Sequence, residues 1–168
     1  MKSAATPDYI SQLTFCYLPA RRDEFVSGKL GIEWAAQYPR LFDGDDRRLY
    51  DSQCDMGHHF FEWAAAIMVY ETTGYLSLIE KYWSVKHPKK LALWEKIAPV
   101  SLRDLPYESG WPDLFSYHPN HKDWFFCETK GKDKLNEAQH RCFRAIYAAF
   151  GKKIYTIQFK EYRRRRDP

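Results

Sequence analysis

The chain has 168 residues, of which 45% are hydrophobic and 17% are aromatic. This composition is typical of one globular domain with a substantial apolar core, and it excludes a disordered chain. No run approaches the roughly 20 apolar residues of a transmembrane helix, and MKSAATPDY lacks the apolar segment of a secretory signal. We therefore expect a cytoplasmic (intracellular) protein without membrane contacts. The net charge is +4, and five basic and two acidic residues in the last nine, KEYRRRRDP, contribute +3 of it.

The hydrophobic pattern of the first half of the chain predicts mainly helices. Short helices and loops are expected before residue 50, including an amphipathic helix over KLGIEWAAQY that ends before Pro39. The strongest helical pattern runs from Met56 to Tyr70, with Asp55 as the expected N-cap and Gly74 after its end. The segment YLSLIEKYW is predicted to begin as a strand, and PKKLALWEKI is predicted to form another helix.

The second half changes its hydrophobic period. DLFSYH and WFFCETK are two aromatic, strand-like runs joined by PNHKD, which predicts a hairpin. KLNEAQHRCFRAIYAAFG has helical spacing and ends in glycine, and KKIYTIQF alternates as a final strand. The order helix, strand, strand, helix, strand predicts an α/β (α+β) fold in which helices pack on a mixed sheet.

Three charged residues lie where the predicted hairpin strands begin and end. Asp113 opens the first strand, while Glu128 and Lys130 alternate onto one face near the end of the second. Two neighbouring carboxylates repel each other unless a proton or a cation intervenes, and Mg²⁺ needs only one or two carboxylates. An ordinary surface salt bridge at a turn is the alternative. The apolar run before Glu128 favours a functional reason for the charges.

These motifs resemble a known family. Gly110, Pro112 and Asp113, then Glu128, Lys130 and Gly131, then Gln139 resemble the G-x-P-D, E-x-K-G and glutamine pattern of the VRR-NUC (virus-type replication-repair nuclease) family. That family belongs to the PD-(D/E)xK nuclease superfamily. The resemblance spans roughly residues 55 to 160 and implies a restriction-endonuclease-like core. Lys132 stands where the family usually has proline, and the spacing to the glutamine is slightly shorter here.

The resemblance also implies roles for these residues. Asp113, Glu128 and the carbonyl of Thr129 would bind Mg²⁺ or Mn²⁺, Lys130 would be the catalytic lysine, and Gln139 would lie beside the site. The resemblance further implies a glutamate on the preceding helix, for which Glu62 and Glu71 are the candidates.

Helical spacing separates the two glutamates. Glu62 shares one polar stripe with Asp55, His58 and His59, whereas Glu71 points to the opposite side at about 100° per residue. We therefore predict Glu62 as a further ligand and catalytic residue, with one of the histidines near it. A buried salt bridge is the alternative role for Glu62, and a structural histidine is the alternative for His58 or His59.

The leading functional hypothesis is a metal-dependent deoxyribonuclease. By resemblance it would act on flap or branched DNA in repair, recombination or replication, as a monomer or a homodimer. The alternatives are a non-catalytic nucleic-acid-binding module and a restriction- or defence-type nuclease. We expect one domain over residues 1–168: a helical extension (1–50), a nuclease core (55–160) and a basic tail (160–168). The candidate nucleic-acid-binding residues are His58, His59, Lys132, Lys134, Arg163, Arg164, Arg165 and Arg166.

Overall fold

A computed structural model of the chain describes residues 6–41, 59–79, 81–106 and 109–162. The strands are β1 (Ile10–Tyr17), β2 (Leu76–Ile79), β3 (Leu114–Tyr117), β4 (Trp124–Lys130) and β5 (Ile154–Glu161). The helices are α1 (Pro19–Val26), α2 (Lys29–Gln37), α3 (Phe60–Thr73), α4 (Pro88–Ile97), α5 (Val100–Arg103) and α6 (Glu137–Phe150). None of these helices combines the length and apolarity that crossing a bilayer requires.

The five strands form one mixed sheet in the order β1-β5-β4-β3-β2. Strand β5 pairs in parallel with β1 and β4, whereas β3 pairs antiparallel with β4 and β2. The β3–β4 pair is the predicted hairpin, and α6 makes the crossover between the parallel strands β4 and β5. The predicted α/β architecture, a mixed sheet flanked by helices, is confirmed.

Two apolar clusters cover the two faces of the sheet. Trp63 of α3 and Phe25 of α1 belong to one cluster, which also contains Cys127 of β4. Phe143 of α6 belongs to the other cluster, together with Phe126 of β4. Because β4 is buried on both faces, its sequence is a continuous apolar run. This packing on both sides holds the C-terminal end of β4 in a fixed position.

Two expectations about the N-terminal part are corrected. Residues before 50 do include helices α1 and α2, but strand β1 was not predicted. Only Ile10 and Tyr17 of β1 are buried, so the strand lacks clear alternation and is defined by pairing with β5, far along the chain. Helix α3 begins at Phe60 after His59, which has a left-handed φ of 64°, rather than at Met56. Asp55, the expected N-cap, lies outside the described residues.

Candidate active site

Asp113 and Glu128 lie side by side at one end of the hairpin. Leu114 pairs with Cys127 in the antiparallel register, so the residue before Leu114 meets the residue after Cys127. The backbone N–H of Asp113 donates a hydrogen bond to Oε2 of Glu128 at 3.3 Å. The prediction that the hairpin brings these two carboxylates together is confirmed.

The Asp113 carboxylate is held through one of its two oxygens. The backbone N–H and the hydroxyl of Thr129 both donate to Oδ2 of Asp113, at 2.8 and 2.7 Å. No described residue donates to Oδ1. One oxygen of Asp113 is therefore fixed in place while the other is left for a cation or a solvent molecule.

Lys130 contacts Glu128 directly, as the alternation of β4 predicts. Its Nζ lies 2.8 Å from Oε1 of Glu128 and 3.2 Å from Oδ2 of Asp133. The Glu128 side chain is 1% exposed, whereas that of Asp133 is 67% exposed. The lysine thus bridges a buried carboxylate and a solvent-exposed one at the edge of the site.

Gln139 reaches the same carboxylate from the first turn of α6. The Asn136 side chain accepts from the Gln139 backbone N–H at 2.9 Å, and Oε1 of Gln139 accepts from the Asn136 backbone N–H at 3.1 Å. This reciprocal pair is a capping box. It leaves the amide Nε2 of Gln139 to donate to Oε1 of Glu128 at 2.5 Å. The helix start therefore positions Gln139, and Gln139 orients Glu128.

Gly110 allows the segment before Asp113 to pack against the start of α6. Its φ is +85°, and a Cβ added there would lie 2.6 Å from the carbonyl carbon and oxygen of Ala138 and 2.8 Å from the backbone nitrogen of Gln139. All three atoms are backbone atoms, so no side-chain rotation can relieve the contact. Glycine is required here both for the conformation and for the close approach.

Burial changes the acid–base properties of the carboxylate pair. Burial raises the pKa of Glu128 to about 8, and the charge of Asp113 adds to the effect. Burial likewise raises the pKa of Asp113 to about 6, with a contribution from the charge of Glu62. The nearby Lys130 lowers both pKa values without cancelling the increases. Without a further cation, Glu128 therefore keeps its proton at neutral pH, whereas Asp113 is mostly ionised.

The surroundings of Lys130 favour its charged form, whereas those of the two carboxylates favour the neutral form. Burial lowers the pKa of Lys130, but attraction to Glu128 and Asp133 outweighs burial, so the pKa is raised overall. Lys130 is consequently a protonated, positively charged group at neutral pH.

Glu62 lies near the pair, and Glu71 does not. The charge of Glu62 acts on Asp113, as the pKa of that residue shows, and its Oε1 lies 3.4 Å from Nδ1 of His59. Glu71 accepts a hydrogen bond from the hydroxyl of Tyr38 and lines a separate cavity of about 300 Å³. The prediction from helical spacing, that the two glutamates point to different sides, is confirmed.

The third carboxylate is not part of a compact ligand cluster. Within the described ranges, no three His, Cys, Asp or Glu side chains are grouped closely enough to hold a metal ion. Glu62 contacts His59 and also acts through its charge on Asp113, so its role as a further ligand stays a prediction. Asp113 and Glu128 alone supply two carboxylates, which is enough for Mg²⁺ when it retains several waters.

The chemistry of the donors fits a divalent cation. Asp113 and Glu128 offer hard carboxylate oxygens, and their raised pKa values show that the pair is short of positive charge. A divalent cation, which binds the deprotonated carboxylates, would supply the missing positive charge. The residues that could hold such an ion are Asp113 and Glu128, with Glu62 and the Thr129 carbonyl as further candidates.

Two surface grooves meet beside this site. One, of about 490 Å³, is lined by Lys130, Lys134 and His140 among others. The other, of about 680 Å³, includes Lys132 and Arg22 in its lining. The predicted binding residues Lys132 and Lys134 are thus exposed beside the carboxylate pair, while His58 and Arg163, Arg164, Arg165 and Arg166 lie outside the described residues.

Sequence reasoning missed one group that supports the end of β4. Nε2 of Gln158 donates to the carbonyl of Lys130 at 3.2 Å and also to the carbonyl of Gly131. Gln158 pairs with Lys130 in the parallel register of β4 and β5. An alignment of these two strands in the sequence could have identified Gln158.

Comparisons with known proteins give one distant structural likeness. A crystal structure of paFAN1 bound to 2-nt 5′-flap DNA with a gap is 16% identical in sequence, with a TM-score of 0.47. The match covers 97% of this chain and 40% of that chain, so this chain spans less than half the length of paFAN1 in that structure. No protein-family model matches the chain. No curated protein matches it either.

Proposed function

We propose that the protein is a divalent-metal-dependent deoxyribonuclease that hydrolyses phosphodiester bonds at the Asp113–Glu128 pair. The observation that carries this proposal is the buried carboxylate pair with raised pKa values, contacted by both Lys130 and Gln139. Burying two acids together is unfavourable unless a ligand offsets their repulsion. The motif resemblance described above independently supports the same residues.

The cation would be Mg²⁺ or Mn²⁺, held by Asp113 and Glu128 with the Thr129 carbonyl and Glu62 as additional ligands. When bound there, it would lower the pKa of an adjacent water and offset charge on the phosphate. Of the two carboxylate oxygens of Glu62, His59 contacts Oε1, at 3.4 Å.

The protein's own groups have separate roles in this proposal. Lys130 is protonated, so it is suited to holding and neutralising the phosphate rather than to abstracting a proton from water. Gln139 keeps Glu128 in one orientation through its 2.5 Å hydrogen bond and acts as a positioning residue. Lys132 and Lys134 are exposed and line the two neighbouring grooves, so they are suited to phosphate contacts.

The substrate preference is proposed from the motif resemblance. Flap or branched DNA, in repair, recombination or replication, is the first candidate. A defence-type nuclease would use the same residues and the same chemistry. A purely DNA-binding module is disfavoured because buried acids beside the binding grooves would repel phosphate.

The test is cleavage of a labelled panel comprising a 5′ flap, splayed arms, a four-way junction and a linear duplex, in Mn²⁺ or in EDTA. Wild type is expected to cleave at least one substrate in Mn²⁺ and none in EDTA. Lys130→Ala is expected to lose about 10²- to 10³-fold in rate, because it removes a charge that stabilises the transition state. Lys153→Ala is the matched control, because Lys153 is exposed next to the opposite end of β5. Equal rates for Lys130→Ala and Lys153→Ala would refute the assignment.

A further inference from the structure

A basic loop with exposed apolar side chains connects β2 to α4. Between Lys81 and Lys90 the sequence KYWSVKHPKK contains four lysines and no acidic residue. Within it, Trp83 is 37% exposed and Val85 is 82% exposed. Lys81 and Lys86 are exposed as well. Trp83 thus presents part of its ring to the surface among these lysines.

The loop leaves the sheet at the same end as the carboxylate pair. In the antiparallel register of β2 and β3, Ile79 pairs with Leu114, which directly follows Asp113. The hydroxyl of Tyr82, whose side chain is fully buried, donates to the carbonyl of Pro112 at 3.0 Å. The loop is therefore anchored to the residue immediately before Asp113.

Aromatic packing fixes the direction of Trp83. Its ring lies 6.1 Å from that of Trp111 at an interplanar angle of 34°, and 4.8 Å from that of Tyr82 at 84°. Trp111 in turn packs at 6.1 Å from Phe126 in the core. Trp83 is thus the outermost ring of an aromatic series that reaches the surface beside Asp113.

We propose that the loop over residues 81–87 is a binding arm for single-stranded nucleic acid, in which a base stacks on Trp83 while Lys81 and Lys86 contact phosphates. Aromatic side chains beside positive charge are the combination that binds unpaired strands, since every base offers a flat face. The choice of nucleic acid as the partner rests on the proposed nuclease function. An unpaired segment held here would lie next to the bond at the Asp113–Glu128 pair.

Binding through phosphate contacts weakens as salt rises, whereas base stacking depends little on salt, so a salt titration distinguishes the two contributions. In EDTA, where no cleavage is expected, affinity for a short fluorescein-labelled single-stranded DNA is measured against salt concentration. Trp83→Ala is expected to bind roughly 5- to 100-fold more weakly, with an unchanged salt slope. Lys86→Ala is expected to reduce the slope of log affinity against log salt by about 0.7. Trp83→Phe should recover most of the lost affinity.

Matched controls come from the other side and the other end of the sheet. Tyr155 is 38% exposed and packs on Phe125, which belongs to the cluster on the opposite face from Trp111. Tyr155→Ala and Lys153→Ala should bind as wild type does. Thermal unfolding of each variant checks that Trp83→Ala remains folded.

The proposal is overturned if wild type does not bind the strand, or if Trp83→Ala and Tyr155→Ala bind equally. Preferential binding of anionic lipid vesicles, lost in Trp83→Ala, would instead assign the loop to a membrane surface and also overturn it. Failure of the nuclease assignment is a separate result. Lys130→Ala would then cleave as wild type does, while the binding difference caused by Trp83→Ala would remain.

Discussion

Gly110→Ala is expected to be far more damaging than the loss of a single hydrogen atom suggests. The new Cβ would lie 2.6 Å from the Ala138 backbone and 2.8 Å from the Gln139 nitrogen, in a residue with a φ of +85°. The left-handed conformation costs about 1–2 kcal/mol for a non-glycine residue. Relieving the overlap with backbone atoms costs about 1–3 kcal/mol more. We therefore expect a total loss of roughly 2–5 kcal/mol in the free energy of unfolding.

Gly28→Ala provides the control that separates these two costs. Gly28 has a similar φ of +76°, but a Cβ added there meets nothing within 4 Å. Gly28→Ala should lose only about 1–2 kcal/mol, so the difference between the two variants measures the close approach alone. Urea unfolding followed by tryptophan fluorescence gives both values. At about 2–4 °C per kcal/mol, the midpoint of thermal unfolding should fall by roughly 4–20 °C in Gly110→Ala.

The cleavage rate of Gly110→Ala provides a second, independent test. Moving the 110–113 segment away from α6 would shift Asp113 relative to Gln139 and Glu128. A displacement near 1 Å costs on the order of 10²-fold in rate. Gly28→Ala should cleave normally because it is remote from these residues in the sequence and lies between α1 and α2. If both variants lose the same stability and keep the same rate, the packing of Gly110 on α6 is refuted.

Three further predictions concern the same site. In EDTA the free energy of unfolding should fall as the pH rises from about 4.5 through about 8, because folded Glu128 keeps its proton longer than unfolded Glu128 does. Glu128→Gln should flatten this dependence in a thermal-unfolding series, and an unchanged slope would contradict it. Gln139→Ala should lose about 1 kcal/mol in the free energy of unfolding and should also cleave more slowly. Asn136→Ala should lose similar stability but keep most of the cleavage rate. Equal cleavage rates for the two variants would contradict the role of Gln139 in positioning Glu128. Glu62→Gln should slow cleavage in Mn²⁺ while Glu71→Gln should not, and the reverse order would exclude Glu62 from the site.

The local parts of the site were predictable from the sequence. The hairpin pattern alone places Asp113 next to Glu128, since antiparallel strands bring the start of one to the end of the other. Helical spacing alone separates Glu62 from Glu71. Both inferences need only neighbouring residues and a fixed geometry, so no distant contact could overturn them.

The parts that depend on distant segments were not predictable in the same way. Strand β1 lacks alternation of its own and exists through its pairing with β5. The bond from Gln158 to the Lys130 carbonyl requires the parallel register. Each of these features follows from tertiary pairing, which no local period encodes.

Single-turnover cleavage by Asp113→Asn tests the central claim most directly. The substitution keeps the size of the side chain and an oxygen that can accept from Thr129, but it removes the charge needed to hold a cation. With enzyme in excess over the best substrate in Mn²⁺, the account predicts a rate at least about 10³-fold below wild type, with DNA binding in EDTA unchanged. Cleavage by Asp113→Asn at the wild-type rate would contradict the account.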